Sequence, residues 1–314
     1  MLRTSVLVTG GAGFIGSHIV DALLADGGYQ VRVLDNFATG RRENLAHCLS
    51  SIELIEGDIR DMEIVEEAVA GVECILHQAA LPSVPRSVKA PVTTNDVNVG
   101  GTLKLLSAAH KAGVRRVVFA SSSSVYGDGQ ELPKHEGMAP RPMSPYAVTK
   151  LAGENYLRVF ADIYGMETLA IRYFNVFGPR QDPASYYSGV IAKFMTAALE
   201  GGRCVVNGDG MQARDFTYVD NVVHANLLAL KAPQLDGHAV NVACGERYTL
   251  LDLIAGINEA AGVQLSVEYR EARVGDVKYS QAAIERAREV LGYEPLVCFK
   301  DGIVRTFNWY AGKR

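Results

Sequence analysis

Tyr146 and Lys150, in the stretch Ser144-Pro145-Tyr146-Ala147-Val148-Thr149-Lys150, stand one helical turn apart. On a helix this spacing puts both side chains on one face, where an ammonium favours the ionised form of a neighbouring phenol. A phenol drawn down from its usual pKa near 10 can act as a base around neutrality. Ser144 suits an N-cap and Pro145 the first helical position, so the tyrosine enters at the start of a helix. An ordinary amphipathic surface pair has the same spacing, and the pair takes its weight from the residues around it.

Upstream, the apolar run Ser5-Val6-Leu7-Val8-Thr9 leads directly into Gly10-Gly11-Ala12-Gly13-Phe14-Ile15-Gly16. Strand, glycine turn and helix is the order a dinucleotide site requires. The glycines permit a tight turn and bring a pyrophosphate close to the N-terminus of a helix starting near Phe14. The next apolar run, Val31-Arg32-Val33-Leu34, ends in Asp35. A carboxylate there accepts hydrogen bonds from the adenosine ribose and repels a 2′-phosphate, which favours NAD over NADP. Arg41 and Arg42 lie close enough to weaken that preference unless they are solvated loop charges.

Short β-type runs at Val6 to Val8, Val31 to Leu34, Ile52 to Ile55, Cys74 to Leu76, Val117 to Ala120 and Thr168 to Ile171 alternate with helical patterns. That alternation predicts an α/β fold with a Rossmann-like, doubly wound parallel sheet. Two long helices are expected over Thr93 to Ala112 and Tyr146 to Tyr164. Both are apolar on more than one side, which suits either packing on the sheet or contact with a second subunit. Glycine and proline accumulate through Gly178-Pro179-Arg180-Gln181-Asp182-Pro183. We therefore expect an NAD-binding domain over 1–176 and a smaller α/β substrate domain over 177–314, with 217–242 returning to the sheet.

A chain of 314 residues, 48% of them hydrophobic, can bury a large core. Its net charge of −4 gives no support to nucleic-acid binding. Cys48, Cys74, Cys204, Cys244 and Cys298 are widely spaced with no Cys-x-x-Cys pair, so reduced thiols are expected rather than disulfides or zinc ligands. No metal site is evident. The first strand begins too early to leave room for a signal peptide, and no apolar stretch reaches spanning length, so a cytoplasmic enzyme off the membrane is expected.

In their combination these residues resemble the extended short-chain dehydrogenases/reductases, and among them the NAD-dependent nucleotide-sugar epimerases and dehydratases. The resemblance covers nearly the whole chain. It rests on Thr9 to Gly16, Leu34-Asp35-Asn36, Gly57-Asp58-Ile59-Arg60-Asp61, His77-Gln78-Ala79-Ala80, Ser122 to Gly127, Tyr146 to Lys150, Arg172-Tyr173-Phe174-Asn175, Arg214-Asp215-Phe216 and Arg273-Val274-Gly275-Asp276. It implies that Gly10, Gly13, Phe14, Ile15, Gly16, Asp35 and Asn36 bind NAD together with Asp58 and Ile59 at the adenine end and Ala79 and Ala80 near the pyrophosphate and ribose. Asn98, Tyr146, Lys150 and Tyr173 complete that cofactor set, with Lys150 on the nicotinamide ribose. Asn175, Arg214 and Arg273 are implied ligands of the substrate diphosphate, and Val190 and Asp276 are implied substrate contacts. Arginine suits this task because its planar fork matches phosphate oxygens.

Within this resemblance the residues before Tyr126 select the reaction. The 4,6-dehydratases carry an Asp-Glu pair where this chain has Ser124 and Ser123, and a hydroxyl without an activating partner does not replace a carboxylate acid. Ser122 falls on the catalytic hydroxyl position of nucleotide-sugar 4-epimerases, beside the Tyr146 base. Three further positions resemble epimerases of UDP-N-acetylhexosamines: the loop holding Ser83 and Val84, the small Ser280, and Asn207 in place of an aromatic near the base. The implied reaction interconverts UDP-GlcNAc and UDP-GalNAc, and with them UDP-glucose and UDP-galactose, by transient C4 oxidation in a homodimer. The alternatives are a 4-epimerase of UDP-glucuronate or of a thymidine-linked sugar, and a non-catalytic NAD sensor.

Overall fold

Strands buried on both sides send successive residues into two clusters, giving a sheet with a core on each face. The computed structural model describes residues 3–182, 190–271 and 278–313. In its first half the chain forms β1 (Thr4–Thr9), α1 (Phe14–Asp26), β2 (Tyr29–Asp35), β3 (Glu53–Glu56), α2 (Met62–Val69), β4 (Cys74–His77), α3 (Val84–Lys89), α4 (Pro91–Asn95), α5 (Thr102–Lys111), β5 (Arg116–Ser122), α6 (Pro145–Tyr164) and β6 (Glu167–Tyr173). The second half contributes β7 (Val176–Phe177), α7 (Val190–Glu200), β8 (Arg203–Asn207), β9 (Ala213–Arg214), β10 (Thr217–Tyr218), α8 (Val219–Lys231), β11 (Ala239–Val242), β12 (Tyr248–Thr249), α9 (Leu250–Ala261), β13 (Ser266–Arg270), α10 (Glu285–Leu291) and α11 (Phe299–Ala311).

Seven strands make one parallel sheet in the order β11-β6-β5-β4-β1-β2-β3. Val6 and Val8 of β1, Val31 and Val33 of β2, Leu76 of β4 and Val118 of β5 face one side, against Ile19, Val20 and Leu23 of α1 and Val222 and Ala225 of α8. Leu7, Leu34, Ile75, Val117 and Phe119 face the other, against Val65 of α2, Leu105 and Leu106 of α5, and Leu157 and Phe160 of α6. Burying one such side chain contributes about 1.5–3 kcal/mol, and a one-residue slip would turn every one of them to the wrong face. The first of these cores continues through Phe177, Phe194, Phe216, Leu253 and Phe299 into a smaller lobe. That lobe holds the short pairs β7–β10, β9–β12 and β8–β13.

The strand order reverses beside β1, whose neighbours are β2 and β4. Open α/β sheets bind ligands at this switch point, at the carboxyl ends of their strands. The stretch expected as one regular helix from Thr93 to Ala112 is instead α4 and α5 joined by wider π-type turns over Asp96–Gly101. Gly100 and Gly101 weaken regular winding there, and a Cβ on Gly101 would lie 2.6 Å from Ile59. Such bulges concentrate at functional sites, and this one carries Asn98. Ser144 caps α6 as expected, its hydroxyl accepting from the Ala147 amide at 3.1 Å. Among the described residues no helix is long and apolar enough to cross a membrane.

Candidate active site

At the carboxyl ends of β1, β2 and β4 lies a cavity of about 980 Å³. Its floor is the glycine turn. Gly10 sits at φ +68°, and a Cβ on Gly16 would come within 2.1 Å of the Gly10 carbonyl oxygen. Only glycine lets the first turn of α1 approach this closely. Gly13 caps α1 with no side chain over the free amides, which suits a pyrophosphate. Gly10, Gly13, Phe14, Ile15, Gly16, Asp35, Asn36, Asp58, Ile59, Ala79, Ala80, Tyr146, Lys150 and Tyr173 all line this cavity.

Asp35 is held at the end of β2 by the Ala12 and Phe37 amides, at 2.9 and 2.8 Å. Its burial raises its pKa while the two amides oppose the rise. Asp58 takes Asn36 Nδ2 at 2.8 Å and the Arg60 guanidinium at 2.8 Å, and Arg60 holds its pKa at about 2. The two arginines beyond Asp35 are each held in an ion pair, and Arg41 also lines the cavity. Arg41 pairs with Asp182 at 2.6 Å, and Arg42 pairs with Glu56 at 2.5 Å while stacking on Phe37. Tyr173 accepts from Asn226 at 2.8 Å and reaches Gln78 at 3.3 Å. Asn98, expected among the cofactor contacts, stands behind the cavity wall. Its side chain accepts from the Leu81 amide at 2.7 Å and donates to Thr149 at 3.1 Å.

Tyr146 and Lys150 meet on one face of α6, and Ser122 at the end of β5 shares a hydrogen bond with Tyr146. Their electrostatics differ from the sequence expectation. Burial pushes the Tyr146 phenol up to about 12 against the pull of the Ser122 bond. Burial also lowers Lys150 to about 7, with Glu154 acting in the opposite direction. Lys150 Nζ donates to the Ala120 carbonyl at 2.8 Å and lies 5.8 Å from the Tyr146 ring centroid. Burial is the largest influence on both groups and favours the neutral form of each. Beneath the pair runs a buried bridge that sequence reading missed: Arg172 binds Glu154 at 2.9 and 2.7 Å, and Ser121 also donates to Glu154. The i,i+4 spacing of Lys150 and Glu154 was a signal for it, but the partner on β6 is set only by the fold.

A second cavity of about 300 Å³ opens between β7, α7 and β8, lined by Asn175, Val190, Asn207 and Arg214 together with Lys193 and Phe194. Gln181 borders both cavities. Asn175, at φ +35°, donates to the Asp215 carbonyl at 3.2 Å. Arg214 donates to the Ala213 and Lys278 carbonyls, each at 3.1 Å. Ser280 binds the Ala213 carbonyl through its amide at 3.0 Å and lines neither cavity. Ser83, at φ +100°, caps α3 and lines the larger cavity, whereas Val84 is exposed at the start of α3. Arg273 and Asp276 lie outside the described residues. Asp21, His47 and Cys48 come within metal-ligand reach of one another. Arg180, however, already pairs with Asp21 at 2.6 Å.

The family model described as the NAD-dependent epimerase/dehydratase family matches residues 6–243. The chain is 42% identical over 311 residues to the UDP-glucose 4-epimerase of Mycolicibacterium smegmatis, covering 98% of each. The UDP-N-acetylglucosamine 4-epimerase of Methanobrevibacter ruminantium, solved with UDP-N-acetylmuramic acid, superposes with a TM-score of 0.95 at 38% identity over all of both chains. The Thermus thermophilus UDP-glucose 4-epimerase, solved with NAD, gives 0.89 at 40% identity over 99% of this chain and 100% of that one.

Proposed function

The chain belongs to the NAD-dependent epimerase/dehydratase family and is an NAD-dependent UDP-sugar 4-epimerase, an isomerase; we propose that it interconverts UDP-GlcNAc and UDP-GalNAc, and UDP-glucose and UDP-galactose as well. The observation that carries this reading is that the two cavities share Gln181 in their walls. Tyr146 and Lys150 line the larger, and Asn175, Asn207 and Arg214 the smaller. The sugar would meet the phenol in the larger cavity and the diphosphate the arginine in the smaller one.

In the proposed reaction Tyr146, as its phenolate, takes the proton of the sugar 4-hydroxyl with the help of Ser122; burial alone favours the neutral phenol, so this form would draw on the positive charge of the bound nicotinamide. Bound NAD supplies the ring that accepts and returns the C4 hydrogen. Lys150 holds the cofactor ribose beside the phenol. Asn175 and Arg214, with Arg273 as a further expected ligand, keep the diphosphate in place while the 4-keto sugar turns to present its other face. Positioning at near-attack distance can lower the barrier by roughly 7–11 kcal/mol, so no further acid is needed. Room for an acetamido group is proposed from the resemblance at Ser280, which lies beside Ala213 and lines neither cavity. Exposed Val88, Val92, Val148, Val159 and Ile163 on α3, α4 and α6 support a homodimer built on these helices. Five free cysteines suit the reducing cytoplasm.

The test is incubation of the purified protein with UDP-GlcNAc, without added cofactor, followed by NMR of the nucleotide sugar. UDP-GalNAc should form. Turnover of UDP-glucose with none of UDP-GlcNAc would overturn the substrate assignment.

A further inference from the structure

Behind the dinucleotide cavity runs a set of buried hydrogen bonds that no step above uses. The Thr102 hydroxyl donates to the Asn98 carbonyl at 2.6 Å, so its proton is committed. It can then only accept from His77, whose Nε2 lies 2.9 Å away. On the other side of the ring, the Ala79 amide donates to Thr9 Oγ1 at 3.2 Å, which leaves the Thr9 proton for His77 Nδ1 at 2.7 Å. The Thr102 contact selects the neutral ring with its proton on Nε2, and the Thr9 contact accommodates it by donating to Nδ1. A ring protonated on Nδ1 would give Thr9 two donors and leave the Nε2 lone pair facing a hydroxyl whose proton points elsewhere.

The same sense continues from Asn98. The Leu81 amide donates to Asn98 Oδ1 at 2.7 Å, which fixes the orientation of the side-chain amide. Asn98 Nδ2 therefore donates, to the Leu81 carbonyl at 3.2 Å and to Thr149 Oγ1 at 3.1 Å. Thr149 in turn donates to the Tyr146 carbonyl at 2.7 Å.

We propose that His77, as its Nε2–H tautomer, is a positioning residue that ties the Ala79–Leu81 wall of the NAD cavity to the first turn of the Tyr146 helix. Every proton along the path has one acceptor, so the spacing between cofactor wall and phenol is fixed by directional bonds in addition to packing. Burial, with a further push from Lys150, holds the ring neutral at a pKa of about 3, so its bonding sense is constant across the working range. The link to catalysis rests on Tyr146 being the base, whereas the tautomer and the retention of NAD can be measured without any sugar.

In a long-range proton–nitrogen spectrum of the 15N-labelled holoenzyme, the His77 ring is identified as the signal that moves in Thr102→Val. It should be protonated on Nε2 and unchanged from about pH 5 to about pH 9. A proton on Nδ1, or a titration in that range, would overturn the proposal. Thr102→Val, which removes both hydrogen bonds of that hydroxyl, should also release NAD faster and lower kcat, each about tenfold or more, with KM for the nucleotide sugar unchanged. Thr102→Ser should restore both. Wild-type NAD release and kcat in a folded Thr102→Val protein, a change confined to KM, or failure of the serine to rescue would refute it; wild-type kcat with faster NAD release would leave NAD positioning standing and remove Tyr146 from it.

Discussion

Replacing Lys150 by methionine should abolish epimerisation and yet stabilise the cofactor-free protein. Lys150 is 3% exposed, and burial takes its pKa from 10.5 to about 7. Holding that ammonium charged at or below pH 7 costs about 5 kcal/mol relative to the unfolded chain. A methionine of similar length removes this cost but leaves the Ala120 carbonyl without the donor it now has at 2.8 Å, a penalty of about 1–3 kcal/mol. The net gain is about 2–4 kcal/mol near neutral pH. The pH dependence has a definite sign. Between about pH 7 and about pH 10.5 the unfolded lysine binds the proton that the folded one has lost, so the stability contributed at Lys150 rises with pH. The advantage of the variant must therefore shrink, because at about pH 9 the remaining cost is only about 2 kcal/mol. Urea unfolding of nucleotide-free wild type and Lys150→Met at both pH values measures this. A variant less stable than wild type at pH 7, or a gain that grows with pH, would show that Lys150 is held as a well-compensated cation and that burial does not govern its charge.

Other substitutions test neighbouring parts of the site. Tyr146→Phe should lower kcat by about 10³-fold or more while NAD stays bound, as followed by absorbance of the purified protein and NMR of the sugar. Gly16→Ala would place a methyl 2.1 Å from the Gly10 carbonyl and should open the glycine turn, giving protein that purifies without NAD. Asp35→Asn keeps acceptors for the Ala12 and Phe37 amides in part but removes the charge, and should narrow the preference for NAD over NADP in cofactor-binding titrations. Ser280→Tyr should depress turnover of UDP-GlcNAc more than that of UDP-glucose, and equal losses would mean that this position does not border the sugar.

The sheet was legible because its signal is local. Each strand is a short apolar run, whereas the assignment of Leu7 to one core and of Val6 and Val8 to the other follows only from the pleat of the folded strand. The turn at Gly10 to Gly16 was readable for the same reason, since strand, glycines and helix are contiguous. Two features were not. The winding over Asp96–Gly101 depends on Ile59 and Leu81 meeting that helix from distant segments, and helical periodicity is blind to such contacts. Spacing reports the proximity of Tyr146 and Lys150 and not their desolvation, which raises the phenol and lowers the amine. Asn98 is implied as a cofactor contact by resemblance, and only the fold shows its side chain bonded to Leu81, which lines the cavity.

The placement of Gln181 explains how two separately built halves form one site. Arg180, in a left-handed conformation at φ +65°, pairs with Asp21 of α1 at 2.6 Å, and Asp182 pairs with Arg41 at 2.6 Å. Between them, the Gln181 carbonyl accepts from the Tyr310 hydroxyl of α11. A residue that borders both cavities is thus anchored to the helix that follows the glycine turn, to the loop beyond Asp35, and to the smaller lobe. Under the proposed reaction a sugar must turn over while phenol and nicotinamide stay fixed. That requires a frame rigid at the cofactor and at the diphosphate, with freedom only at the hexose between them. The three anchors around Gln181 supply rigidity at the seam, and the ordered hydrogen bonds from Thr9 to Tyr146 supply it on the opposite wall. If Arg180 and Asp182 were both replaced by alanine, the seam would lose two ion pairs that are partly shielded from solvent. The expected result is faster NAD loss with the sheet and its cores intact.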